Sequence, residues 1–412
     1  MAQARPKVVE AERYPGVDIG AKINAADRAL GTQPGEITVS SGGTFRTGAV
    51  ISAGHTLRLK AGIFPSIVPG PTVLLDDNAA LVADSWDVVL EETTAQTTTT
   101  GLSPVTGLSV FTIVQDKAGA KLNGSPSRGI RVEGVHFRGK RSDFNSALQT
   151  VSLGNCQDCR ATRNWLENTR TIGLQIGGGS ALGNFARNVV LNDNQFTGVA
   201  SQNLAVTNAV GVEIKRNRFL NPGQVGGPGV TVIDVEPNTG DRIDDIVIED
   251  NSVDATEAPV EHGGSGPKVT NAIAVNGGNP TTLFRNVRVL KNTIVGASHS
   301  QIVYNRISYS GILIRAASGV IVRDNVVKRV SRGILIDSGS TNNRIEANTL
   351  VSCGSGSTAS LTIEDSSNNV ITGNTLRDQP GDILGLGQRA KLIAVSGQSR
   401  GNSISNNGDA VF

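Results

Sequence analysis

Aromatic side chains are scarce in this chain, at 4% of 412 residues, with 2 Trp and 3 Tyr. A core built on large stacked rings is thereby excluded. Cysteine is scarcer still: 3 residues cannot form a disulfide framework. Cys156 and Cys159 make a C-x-x-C, but Asn155-Cys-Gln-Asp-Cys-Arg160 lies at a turn between two strand phrases instead of opening a helix. No second pair or His-x-His completes a metal site, so two small residues in a coil corner is the first reading and a local disulfide the second. Charge is balanced, 38 basic against 36 acidic residues for a net charge of +2, which gives no long-range pull toward nucleic acid or a membrane surface. No apolar stretch reaches the ~18 residues of a transmembrane helix. The start, Met1-Ala-Gln-Ala-Arg-Pro6, has no hydrophobic signal region; it reads either as the end left after signal removal or as a native terminus.

What the chain has in abundance is glycine, 49 residues, and a repeated aliphatic phrase. Leu174–Gly177, Leu204–Thr207, Ile233–Glu236, Ile273–Asn276, Ile312–Arg315, Ile334–Asp337 and Leu361–Glu364 align as apolar-x-apolar-x. A second phrase, apolar-x-apolar-x-x-Asn, ends at Asn194, Asn217, Asn251, Asn292 and Asn325, and less cleanly at Asn348 and Asn374. Such self-similarity is the mark of a solenoid, which grows by adding rungs and allows a chain of this length to be one elongated domain. The ladder asparagines, Asn164 and Asn194 among them, are expected to bond backbone groups of their own and adjacent coils, at roughly 1 kcal/mol each, and are not site candidates.

Ahead of the rungs, residues 17 to 31 place Ile23, Ala26 and Leu30 at helical spacing and stop on Gly31, which predicts an amphipathic helix. Residues 1–34 are read as an arm and capping helix covering the open end of a stacked sheet. Residues 35–412 are read as the coil, interrupted around 84–128 by a threonine-rich loop. The helix with Asp18-Ile-Gly-Ala-Lys22, then Gly43-Thr-Phe45, Leu57–Gly62 and the Asn-ending rungs, resembles the pectate-lyase-like right-handed parallel β-helix superfamily. The resemblance covers nearly the whole chain. It implies an all-β, single-stranded right-handed parallel β-helix, a solenoid with a short N-terminal capping helix, and favours a secreted or cell-surface protein. It leaves chemistry open, because such folds serve lyases, hydrolases, epimerases, tailspikes and adhesins.

Rungs of unequal length show where function is added, since insertions in solenoids gather on the binding face. Three consecutive connections, Asn217 to Asp234, Asn251 to Ala274 and Asn292 to Leu313, are longer than those before and after. They carry Arg216, Arg218, Glu257, Glu261, His262, Lys268, His299, Tyr304, Arg306 and Tyr309. His55 and His136 lie far along the coil from them. In Ile233-Asp-Val-Glu236, alternation turns Ile233 and Val235 inward and both acids outward. With rungs ~4.8 Å apart, Glu236, Asn276, Arg315 and Asp337 would form an outward column of roughly 15 Å, the size of several sugar units. The plainer readings are solvated surface acids, an Arg315–Asp337 ion pair, ordinary loop histidines, and tyrosines that pack a loop.

The expected chemistry follows from the spacing. Outward acids at i and i+2 have α-carbons about 6.5 to 7 Å apart, near the lower end of the roughly 6.5 to 9.5 Å that admits a water in inverting glycoside hydrolysis. Asp234 and Glu236 are therefore the candidate catalytic pair, with Glu236 favoured as acid and Asp234 as base. Asn276, Arg315, Asp337, His262, Lys268, His299, Tyr304, Arg306 and Tyr309 are candidate substrate contacts, and no metal or cofactor is required. The competing enzyme is a polysaccharide lyase using calcium, with Arg315 or Lys268 as base. The third class is a non-catalytic glycan binder, which the low aromatic count favours. The expected partner is a polysaccharide or oligosaccharide, with no nucleic acid and no membrane insertion, and either a monomer or a homotrimer is compatible.

Overall fold

The computed structural model describes residues 6–68, 70–93, 111–118, 125–139, 148–169, 172–178, 185–223, 230–257, 269–278, 283–296, 310–354, 358–379 and 392–409. The chain divides into two compact units, Met1–Gln195 and Phe196–Phe412. Each is wound from short strands that join three sheets in turn, and the strand pairings are parallel. In the second unit a typical rung runs Arg242–Glu249 in the first sheet, Ser252–Asp254 in the second and Val269–Asn276 in the third, then returns to the first at Leu283–Leu290. This is a parallel β-helix, and apart from one α-helix and one 3-10 turn the described elements are strands.

The inward positions are a column of branched aliphatics, as the period of two demands. Ile233 and Val235, Ile273 and Val275, Ile312 and Ile314, and Ile334 and Ile336 stack in register and are fully buried. Each such side chain contributes about 1.5–3 kcal/mol by leaving water. Corners are held by amides. In the second unit Asn217, Asn251, Asn292, Asn325, Asn348 and Asn374 are buried, and each donates its Nδ2 to the Oδ1 of the next at 2.9 to 3.0 Å. The same Oδ1 also accepts the previous asparagine's backbone N–H, as between Asn325 and Asn348 at 3.0 Å. Asn164 and Asn194 do the same in the first unit. The residue before each ladder Asn turns left-handed, Arg216, Asp250, Lys291, Asp324 and Ala347 all having positive φ. The amide bonds offset that unfavourable backbone conformation.

The helix forms over Ile19–Leu30, with the Asp18 side chain accepting from the Ala21 N–H at its start and Gly31 at φ 73 as its stop. Ile19, Ile23, Ala26 and Leu30 are its buried face. It is fastened to the coil by polar groups: Asn24 bonds Gly48 O and the Val50 N–H, and Asp27 bonds Ser52 and the His55 Nδ1 at 2.7 Å. Residues 7–10 of the N-terminal arm form a strand paired with Gly35–Val39. Within 84–128, strands Val89–Glu92, Phe111–Asp116 and Ser127–Arg128 continue the rungs, while 94–110 and 119–124 lie outside the described residues. Cys156 and Cys159 are joined as a disulfide, with Cα atoms 6.1 Å apart. This corrects the first reading of the pair as a plain corner, because the turn holds the two α-carbons within the range a bridge can span.

Candidate active site

Asp234 stands between two core residues, so the pleat directs its carboxyl to the outer face of the third sheet. Its neighbours across the rungs are Ala205 and Ala274, small side chains that leave it a recess. The recess is not solvated: Asp234 is only 4% exposed. Beyond it on the same face, Ala274, Leu313 and Leu335 form a buried apolar cluster. Outer-face alternation alone predicts a water-facing acid, and the structure corrects that because the side chains of Gln202, Asn276 and Glu236 close around Asp234.

Two amides reach the buried carboxyl, Gln202 Nε2 to Oδ2 at 3.4 Å and Asn276 Nδ2 to Oδ1 at 3.3 Å. Both contacts are long and compensate burial only weakly. Glu236, one position beyond the strand end and exposed, makes a side-chain hydrogen bond to Asp234. Burial, then the charge of Glu236, and then that bond push the Asp234 carboxyl up to about 7, while Gln202 and Asn276 pull it down. The two acids are thus a hydrogen-bonded pair, closer than the separation that leaves room for a water. The backbone spacing behind that expectation fixes the α-carbons, not the carboxyls, and a proton kept on the buried Asp234 removes the like-charge repulsion.

The column expected from the aligned phrases is present. Asn276 is the Cα partner of Arg315 and Arg315 of Asp337, and the pairing of Val235 with Val275 sets Glu236 beside Asn276. Arg315 grips Asp337 with Nε to Oδ1 at 3.0 Å and Nη2 to Oδ2 at 2.6 Å, its side chain 50% exposed. A family model described as a right handed beta helix region matches residues 292–408. Among solved structures, the chain is similar to the A-module of the mannuronan C-5 epimerase AlgE4 from Azotobacter vinelandii, at 12% identity over 97% of this chain and 98% of that one, TM-score 0.56. It is also similar to an exopolygalacturonase from Thermotoga maritima, at 11% identity over 100% and 94%, TM-score 0.55. PfbA, a surface adhesin of Streptococcus pneumoniae, matches at 12% identity over 91% and 93%, TM-score 0.52. No curated protein matches in sequence. The chain has the right-handed parallel β-helix fold.

On this β-helix the three long connections, 221–229, 255–268 and 296–309, all run from the second sheet into the third, entering the strands that carry Asp234, Asn276 and Arg315. His262, Lys268, His299, Tyr304, Arg306 and Tyr309 lie outside the described residues. Gln202 is a member of the site that the sequence reading misses. Its signal was faint, a polar residue two places ahead of the Leu204–Thr207 phrase. Gly277 is a second: a Cβ there would meet the Ala316 carbonyl oxygen at 2.0 Å, so only glycine lets the chain pass close enough to keep Asn276 over Asp234. Among the described residues no helix is long and apolar enough to cross a membrane.

Proposed function

We propose that this face of the third sheet cleaves glycosidic bonds of a polysaccharide, with Asp234 as general acid and Glu236 as base. The observation that carries the reading is a buried carboxyl titrating near neutrality against an exposed one. At neutral pH Asp234 keeps a proton to give to a leaving oxygen, and Glu236 accepts one. That order is the reverse of the one favoured from sequence, because burial falls on Asp234. Hydrolysis with a water between the acids requires Glu236 to turn away from Asp234, which its exposed side chain permits. Arg315, Asp337 and Asn276 supply donors and acceptors for sugar hydroxyls along the column. Solved proteins of the same fold named as a mannuronan epimerase and an exopolygalacturonase support a saccharide substrate.

Calcium, which a lyase would use, takes six to eight oxygen ligands. Among the described residues no group of three acids, histidines or cysteines converges. The reading proposed here assigns no step to the ion. The deciding experiment is turnover of neutral and uronic acid polysaccharides by wild type, Asp234→Asn and Glu236→Gln. New reducing ends that vanish in both variants support hydrolysis. An unsaturated, ultraviolet-absorbing product indicates elimination instead, and binding without turnover in wild type indicates a glycan binder.

A further inference from the structure

The two tryptophans of the chain, far apart in sequence, meet on the outside of the first unit. Trp86 lies in the turn before strand Val89–Glu92 and Trp165 opens strand Trp165–Glu167, with ring centroids 5.7 Å apart and planes tilted by 51°. The His136 ring lies flat on Trp165 at 4.0 Å. His136 is itself fixed at both nitrogens, Nδ1 on the Trp86 carbonyl and Nε2 on Glu167 Oε2, each at 3.0 Å. The Trp86 indole donates its N–H to the Arg163 carbonyl at 2.7 Å. Its polar handle is thus used internally, while 38% of the residue remains exposed.

Polar residues stand on the turns and strands that carry the cluster. Arg163, in the adjoining turn, is 66% exposed in its side chain, which makes a long 3.8 Å contact to Glu133. Arg138, paired with Glu91 at 3.0 Å, and Glu167 stand on the strands behind, and Asp87 is exposed beside Trp86. A rigid apolar plate with donors and acceptors on the neighbouring turns and strands complements a pyranose ring, which offers a C–H face for stacking and hydroxyls at its rim. A nucleic acid fits less well, since the carboxylates there repel phosphate. We propose that Trp86, backed by Trp165 and His136, is a carbohydrate-binding site that holds a sugar unit of a glycan chain, separate from the Asp234–Glu236 pair.

Both tryptophans belong to this one cluster, so tryptophan emission, excited at the red edge where the 3 tyrosines do not absorb, reports on it alone. The probes are soluble oligosaccharides of neutral hexoses and of uronic acids, titrated into wild type, Trp86→Ala, Arg163→Ala and Asp234→Asn, with affinities checked by calorimetry. The expected result is a saturable emission change in wild type and in Asp234→Asn. Affinity at this site should fall at least about tenfold in Trp86→Ala, and measurably in Arg163→Ala, whose carbonyl still holds the indole. Thermal melts confirm that each variant is folded. No saturable change with any probe, or unchanged affinity in both Trp86→Ala and Arg163→Ala, overturns the proposal. Because Asp234→Asn keeps this signal, failure here and failure of the cleavage reading are separable.

Discussion

Ionising Asp234 should weaken the fold, and removing its charge should strengthen it. The carboxyl moves from an ordinary 3.8 in the unfolded chain to about 7 in the native one, burial first and the Glu236 charge second. Between those values the native chain holds a proton that the unfolded chain has released, so stability falls as pH rises. The loss starts near pH 4 and is complete a little above pH 7. At about 1.36 kcal/mol per pH unit it amounts to something on the order of 4 kcal/mol. Asp234→Asn keeps the size of the side chain and abolishes the titration. It sets an amide N–H₂ against one of the two donors from Gln202 and Asn276, which costs about 1 kcal/mol. Asp234→Asn should therefore be roughly 3 kcal/mol more stable than wild type near pH 8 and slightly less stable near pH 4. Urea melts of both proteins across that range measure the difference, with midpoints compared variant to variant because a repeat array need not unfold in one step. Parallel pH dependence in the two proteins would refute the assignment of a buried, proton-holding acid.

Activity gives further tests. Asp234→Asn and Glu236→Gln should each lower kcat by about 10²–10⁴-fold while an oligosaccharide still binds, and the wild-type rate should fall as pH rises through about 7, where Asp234 loses its proton. Arg315→Ala should raise KM and leave the melting temperature nearly unchanged, because its bridge to Asp337 is half-exposed. Asn348→Ala removes the acceptor of the Asn325 N–H and side-chain amide and the donor to the Val322 carbonyl, and should cost about 3 kcal/mol in a denaturant melt. Gly277→Ala should lower kcat more than it lowers the melting temperature, since the clash with Ala316 O displaces Asn276; equal losses in both would mean that the strand end itself has collapsed.

The coil was legible because its signals are periodic. Aliphatic pairs such as Ile312 and Ile314 and corner amides such as Asn292 and Asn325 recur with the rung, so each repeat reinforces the same inference. The helix was legible from Asp18, Ile23, Leu30 and Gly31 for the local reasons that govern caps. The acid pair could be found by alternation, yet its state could not, because alternation says which side a residue faces and nothing about what covers that side. A hint was present: Ala205, Ala274, Leu313 and Leu335 are apolar at outward positions of neighbouring rungs, which a wet surface does not favour. The tryptophan cluster was beyond reach, since Trp86 and Trp165 belong to no repeated phrase and meet only once the turns are stacked.

The row of corner amides has a direction, like a line of arrows laid head to tail, each giving hydrogens to the turn that follows. A turn can be spliced into or cut from such a row only whole, from one asparagine to the next, as with 326–348. Editing by half a turn would leave a gap in the line with donors and acceptors unmatched deep inside the wall. The unit in which this protein can be lengthened or shortened is therefore set by one polar side chain per turn, as firmly as by its greasy interior.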